Sequence, residues 1–375
     1  MIDQLINTKN PYSFDDSRDK LFLSAMRENF RQHYDNCPQY RKLCILEGLS
    51  PDNIINFEDI FHIPHLFVSV LKDRTFKSVP DNQVKLTLKS SGTRGQKSAI
   101  YLDSITLDRI HNIVWNIFDE YGMADKSVEC NCILFSYEHK FASDVGTAFS
   151  DKLLSGLTGI KNLVYVLRRD EENNDFYFDI EGLIDALLRF SKEDNPLRII
   201  GFPALLFELE KEYTKRGLPN LNFGKDSYII IGGGWKTKAK DEIPKPIFKN
   251  IMSRLLGVPV ENVRDLFGMV EHGVPYVECE KGNMHVPIYS RAVVRDPETL
   301  KILPDYQPGL LHFYTPYLNS FPAISLLTTD VGMTGRDCPC GRNAPYIIVL
   351  GRAGLEKHRG CAIRALDFIS GGVDK

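Results

Sequence analysis

An excess of basic charge is missing from this sequence: 46 Lys and Arg stand against 49 Asp and Glu, a formal net charge of −3. No dominant positive field exists to hold nucleic acid or an anionic membrane surface by bulk electrostatics, so neither is expected as a partner. Long apolar runs are missing as well. The longest, such as Ile199 to Phe207, are interrupted and too short to span a bilayer. The opening residues Met1-Ile2-Asp3-Gln4-Leu5-Ile6 carry no basic segment followed by an apolar core. No secretory signal is read there, and a cytoplasmic protein is expected. Repeats and low-complexity segments are absent. The eight cysteines are scattered over 375 residues, which suits free thiols, a metal site or a catalytic sulfur better than a disulfide framework.

What is present has the composition of a soluble globular protein, and the length allows one large domain with a small one, or two of ordinary size. From Ser17 to Tyr34, Leu23, Met26, Phe30 and Tyr34 recur at helical spacing, the mark of an amphipathic helix packed on something larger. Residues 1–80 read as a helical cap. Residues 81–275 alternate strand and helix: a helix capped by Ser104 stops at Gly122, and strands are expected at Cys132 to Tyr137 and Leu163 to Leu167. Ile199 to Phe202, the helix Pro203 to Arg216, Tyr228 to Ile231 and the helix Pro246 to Leu256 continue the pattern. The class is therefore α/β, a mostly parallel sheet covered by helices. Residues 276–350 read as a β-rich subdomain, and residues 351–375 as a short tail.

The stretch Ser90-Ser91-Gly92-Thr93-Arg94-Gly95-Gln96-Lys97-Ser98 joins two expected strands, Val84 to Leu88 and Ala99 to Leu102. Its glycines let successive backbone N–H groups converge on an anion, while its hydroxyls, Arg94 and Lys97 add charge-assisted hydrogen bonds. A Walker loop has different spacing and opens a helix, so this is another kind of phosphate loop, or else a solvated Ser/Thr/Gly hairpin. Three further features lie at expected strand ends, where open α/β sheets bind ligands. Gly232, Gly233 and Gly234 before Trp235 let a flat ring approach the backbone, or simply connect strand to helix. Glu271, in Phe267-Gly268-Met269-Val270-Glu271-His272, is an acid suited to magnesium, or a surface carboxylate. Asp330, in Leu327-Thr328-Thr329-Asp330, is placed to accept from ribose hydroxyls.

Cys338-Pro339-Cys340, with Cys279 and His285 at C-x5-H spacing upstream, supplies the sulfurs and imidazole of a closed structural zinc site, or four free residues. Cys361 follows Lys357, His358, Arg359 and Gly360. That setting favours thiolate and a flexible reach, yet equally fits a structural cysteine before an amphipathic helix from Ala362 to Ile369.

Taken in order, these pieces resemble the adenylate-forming superfamily. The loop is similar to its [ST]-S-G-[ST]-[ST]-G-x-P-K signature, with Arg94 in place of a hydroxyl residue and Lys97-Ser98 in place of Pro-Lys. Phe267-Gly268-Met269-Val270-Glu271 resembles Y-G-x-T-E, Leu327 to Asp330 resembles T-G-D, and Gly351-Arg352 resembles the G-R hinge. The cysteine block is similar to that of phenylacetate-CoA ligases. The whole combination, with Arg359-Gly360-Cys361-Ala362-Ile363-Arg364 near the end, most closely resembles the acyl-protein synthetase (LuxE) family.

The resemblance implies an acid–thiol ligase that uses ATP and Mg²⁺ to adenylate a fatty acid. Pyrophosphate would lie on Ser90, Ser91, Gly92, Thr93, Arg94, Gly95 and Lys97, magnesium on Glu271, adenine on Gly232, Gly233 and Gly234, and ribose on Asp330 and Arg352. Segment Ser136 to Phe149, with Tyr137, His139 and Phe141, would contribute to the acyl site. Only 14 residues follow Cys361. A mobile C-terminal domain is therefore expected to be truncated away, with Cys361 as the acylated nucleophile and His358 as its base. The acyl group would pass to an acyl reductase partner that makes aldehyde with NADPH, for bioluminescence or related lipid chemistry, with an acyl-donating thioesterase upstream. Zinc on Cys279, His285, Cys338 and Cys340 is implied by the phenylacetate-CoA ligase likeness. Two alternatives stay open: an acyl- or aryl-CoA ligase, and a non-catalytic nucleotide- or acyl-binding subunit.

Overall fold

The computed structural model describes residues 1–89, 99–138, 146–170, 172, 175–235 and 241–352. In chain order its elements begin with α1 (Ile2–Ile6), α2 (Asp16–Asn36), α3 (Pro38–Leu46), β1 (Leu66–Phe67) and α4 (Val70–Asp73). Next come β2 (Val84–Lys89), β3 (Ala99–Asp103), α5 (Ser104–Glu120), β4 (Asp125–Tyr137), α6 (Gly146–Ser155), β5 (Thr158–Asp170) and β6 (Asp175–Phe178). The alternation continues with α7 (Ile180–Phe190), β7 (Leu197–Gly201), α8 (Pro203–Lys215), β8 (Tyr228–Gly232), α9 (Lys245–Leu256) and β9 (Val263–Phe267). Short strands close the chain: β10 (Tyr276–Val277), β11 (Met284–His285), β12 (Arg291–Arg295), β13 (Ile302–Leu303), β14 (Gly309–Tyr314), β15 (Ser325–Gly335) and β16 (Tyr346–Arg352).

Contacts divide the chain into two units. One holds Phe118–Phe267 and Val277–Gly282, and is the expected parallel sheet. Its strands run β9-β8-β7-β4-β5-β6, every pair parallel except β5 with β6. The chain winds outward from β4 through β5 in one direction and from β7 through β9 in the other, so the strand order reverses between β4 and β7. In sheets of this kind the crevice at that reversal, at the carboxyl ends of the strands, takes the ligand. On one face Ile133, Phe135, Ile199, Ile229 and Ile231 pack with the apolar side of α7, α8 and α9 around Leu187, Leu209 and Met252. α9 stops at Gly257, whose φ of 62° closes the helix in the left-handed region.

A buried ion network stiffens this unit. Glu278 accepts from Lys249 Nζ at 2.6 Å, from Lys245 Nζ at 3.2 Å and from the Asp265 backbone N–H at 2.7 Å. The segment that returns at Val277 is thereby tied to β9. Burial pushes the Asp265 carboxyl up from its ordinary range, and the Lys245 ammonium beside it opposes that push.

The other unit holds Met1–Ile117, Gly268–Tyr276 and the residues from Asn283 onward. The sequence separates a cap of residues 1–80 from a β-rich segment of residues 276–350, whereas the fold joins them. β1 pairs in parallel with β15, Leu66 against Leu326, inside a mixed sheet ordered β11-β16-β15-β14-β12-β13. A two-residue strand has no apolar periodicity to announce it. β2 and β3 form the expected antiparallel hairpin. α2 spans the expected helix, but its buried side is Phe22, Met26, Phe30 and His33, so Leu23 and Tyr34 sit at its margins. α5 starts at Ser104, yet its cap is Asp103, whose carboxylate accepts the Thr106 N–H at 2.9 Å and the Asn319 amide at 2.6 Å.

Candidate active site

Glu271 lies on the turn that follows β9 and is only 5% exposed. The turn is closed by Met269, whose carbonyl accepts from the His272 N–H at 3.2 Å and the Gly273 N–H at 2.8 Å. A carboxylate is costly to bury and persists where a cation or a hydrogen-bond donor faces it.

Asp330 is 9% exposed and lies within β15, where the expectation put it at a strand end. The strand runs on to Gly335 because a register shift between Val331 and Gly332 lets the pairing with β16 continue past the irregularity. Gly332 is required there, since an added Cβ would stand 2.5 Å from the Ile348 carbonyl. Arg352 donates Nε–H to Asp330 Oδ1 at 3.2 Å. Burial raises the Asp330 carboxyl above the ordinary carboxylate range, the Arg352 guanidinium works against this, and the Glu271 carboxylate adds to it. Glu271, Asp330 and Arg352 are thus brought into one electrostatic neighbourhood.

In the parallel-sheet unit, Gly232 ends β8 and Gly233 and Gly234 follow with φ of 72° and 62°. Two successive left-handed residues are readily adopted only by glycine. Trp235 anchors the far side of the turn, edge-on to Phe207 at 5.6 Å and to Phe248 at 6.0 Å. At the carboxyl end of β4, next to the strand reversal, the buried Ser136 hydroxyl has no hydrogen-bond partner among the described residues.

The ligand atoms of His285, Cys338 and Cys340 gather within 4.8 Å of one another. His285 Nδ1 lies 3.0 Å from the Ala344 carbonyl and donates to it, which turns Nε2 as an acceptor toward Cys340 Sγ at 3.1 Å. Burial works to raise the Cys340 thiol, but hydrogen bonds from Arg342 and Cys338 outweigh it and bring the thiol below its ordinary value. Asn283 donates to Cys338 Sγ at 3.1 Å. Cys279 occupies the turn six residues before His285, closed by the Gly282 N–H on the Cys279 carbonyl at 2.9 Å.

A family model described as "Acyl-protein synthetase, LuxE" matches residues 1–367. The chain belongs to that family. The synthetase is 27% identical to a long-chain-fatty-acid–luciferin-component ligase of Aliivibrio fischeri, over 98% of this chain and 94% of that protein. A ligase of the same name from Vibrio harveyi is 25% identical over 96% of this chain and 92% of its own. Among solved structures, 2-hydroxyisobutyryl-CoA ligase in complex with 2-HIB-AMP and CoA superposes with a TM-score of 0.70 at 18% identity, covering 91% of this chain and 76% of that one. The synthetase therefore has the fold of the adenylate-forming ligases. No helix among its described residues is long and apolar enough to cross a membrane.

Several residues singled out from sequence lie outside the described residues: Ser90, Ser91, Gly92, Thr93, Arg94, Gly95, Lys97, His139, Phe141, His358 and Cys361. Sequence reasoning missed Tyr317 and the row from His272 through Tyr276 to Ser290, which surround the Glu271 turn. Tyr317 and Ser290 come from distant segments with no motif to mark them.

Proposed function

We propose that this synthetase activates a long-chain fatty acid with ATP and Mg²⁺ and carries the acyl group on Cys361 as a thioester. The reading rests on the family match, which runs from residue 1 to residue 367 and so takes in Cys361. The two full-length relatives are named for ligation of long-chain fatty acids. A carboxylate oxygen of the acid forms its bond to the α-phosphorus of ATP as the bond to pyrophosphate breaks. The Cys361 sulfur then bonds to the acyl carbon, AMP leaves, and the thiol proton passes to His358. From Cys361 the acyl group goes to an acyl reductase partner, and a thioesterase supplies the free acid.

The chain's own residues fit these tasks. Glu271 and Asp330 are two buried carboxylates, and the first raises the second, so a hard divalent cation between acid oxygens and phosphates would relieve the repulsion. Magnesium held there would supply charge neutralisation to the phosphates. Asp330 and Arg352 are suited to ribose hydroxyls, Gly233 and Gly234 to a flat ring, and Ser90 to Lys97 to pyrophosphate.

Zinc is proposed as a structural ion on Cys279, His285, Cys338 and Cys340. The Nδ1–H of His285 fixed on a carbonyl, its Nε2 turned toward Cys340 Sγ, and a thiol drawn toward thiolate match what a zinc ligand set requires. The protein as purified is expected to hold one zinc per chain by metal analysis and to lose several degrees of Tm when it is stripped. Metal-free protein of unchanged Tm would remove the site.

The main test is incubation with ATP, Mg²⁺ and labelled tetradecanoic acid, followed by a denaturing gel and neutral hydroxylamine. Wild type should carry label that hydroxylamine releases, and Cys361→Ser should carry none. Equal labelling of Cys361→Ser would reject the tethered acceptor, and turnover that requires free CoA would favour a CoA ligase instead.

A further inference from the structure

Around Glu271 the chain holds buried polar groups that the reaction above does not use. Tyr317 is fully buried and donates its hydroxyl to the His272 carbonyl at 2.8 Å. That hydroxyl also fills the space beside Gly273, where φ is +72° and an added Cβ would fall on the tyrosine oxygen. Glycine is needed at this position for two reasons, the left-handed backbone and the wedge. Met269 closes the opposite side by accepting both the His272 and Gly273 N–H groups.

The His272 ring is held just as firmly. It lies parallel to the Tyr276 ring, with centroids 5.7 Å apart and planes 3° from parallel, and leans on Phe313 at 4.9 Å. Its Nε2 is 2.7 Å from the Tyr276 hydroxyl, which is 2.7 Å from Ser290 Oγ, which in turn reaches the Arg291 carbonyl at 3.4 Å. Ser290 Oγ also lies 3.4 Å from His272 Nε2, so the ring and the two hydroxyls form one compact hydrogen-bonded row. Nδ1 is left in the interior with no hydrogen-bond partner among the described residues. A phenylalanine ring would fill the space without that desolvation cost. Unsatisfied buried groups persist where a position matters more than local stability.

We propose that Tyr317 and His272 are positioning residues that hold Glu271 for its divalent cation. The hydroxyl wedge holds the backbone after His272, the Tyr276–Ser290 row holds the His272 ring, and both constraints act on the residue next to Glu271. The proposal rests on the reading of Glu271 as the magnesium ligand. Neither residue reaches reacting atoms; both act through the neighbouring carboxylate, as outer partners of metal ligands do.

Tyr317→Phe removes one oxygen and nothing else. The Mg²⁺ concentration giving half-maximal ATP–pyrophosphate exchange should rise about tenfold, the low end of what loss of an outer partner does to metal affinity, while the half-saturating fatty acid concentration stays put. Ser290→Ala, at the far end of the row, should shift it in the same direction by a smaller factor. A tyrosine with only a packing role would lower Tm and leave the Mg²⁺ requirement alone. Both variants folded at wild-type Mg²⁺ requirement, with Glu271→Gln inactive, would overturn the positioning role by itself. Glu271→Gln with wild-type exchange would instead overturn the reading beneath it. Should Tyr317→Phe fail to fold, Ser290→Ala decides between these outcomes.

Discussion

Lowering the pH from 7.5 to 5.0 should remove about 6 kcal/mol from the stability of the unit that contains the Glu271 turn, from three imidazoles held neutral at about 2 kcal/mol each, His33, His272 and His65. His33 is wholly buried between Ser78 Oγ at 2.7 Å and the Leu318 carbonyl at 2.9 Å, and burial brings its pKa down to about 3. His272 is brought to about 3 and His65 to about 4 by the same cause. His312 is driven well below its ordinary value by burial, by Arg295, which donates to it at 2.7 Å, and by His65. Above pH 7.5 these groups are neutral in the folded and unfolded chain alike and contribute no difference. Below 6.5 the unfolded chain binds protons that the folded one refuses, so stability falls as pH falls, down to the folded values near 3 to 4. Asp330, whose carboxyl is raised, returns a small part of the loss. The loss is on the scale of a whole domain's stability. Urea midpoints measured by circular dichroism at the two pH values check this, and midpoints that coincide would mean that the imidazoles are not held neutral.

Glu271→Gln should lower ATP–pyrophosphate exchange by about three orders of magnitude. Glutamine keeps the size and one oxygen of the side chain but loses the charge, and a bound cation contributes several kcal/mol to phosphoryl-group chemistry, at tenfold in rate per 1.36 kcal/mol. Because the residue is buried and the Asp330 carboxyl is raised partly by Glu271, the substitution should also bring Asp330 back toward its ordinary range. The fold should be retained, since glutamine keeps the size and one oxygen of the side chain. Exchange measured with labelled pyrophosphate, alongside Tm, separates the two effects. Activity within tenfold of wild type would take the metal away from Glu271.

The parallel sheet was legible because strands such as Ile229 to Ile231 are continuous apolar runs, and because Gly217, Gly257 and Pro203 punctuate the helices between them. The site motifs were legible for a similar reason. Gly232 to Gly234, Glu271 and Asp330 each stand at or near the end of an apolar run, and the run carries the pattern. Other features stand a little away from where the local pattern puts them. Asp103, one residue before the expected cap, takes the helix start because its carboxylate reaches the Thr106 N–H. Asp330 sits inside its strand because a bulge carries the pairing onward.

By itself the sequence determined the α/β class, the family, and which residue types could serve phosphate, metal and acyl chemistry, since each depends on neighbours within a few positions. Only the tertiary structure decided that Leu66 joins the sheet of Leu326, that Glu271 raises Asp330, and that Tyr317 braces the turn of His272. Those pairings depend on which distant segments are packed together when the apolar surfaces close, and no local pattern records that choice.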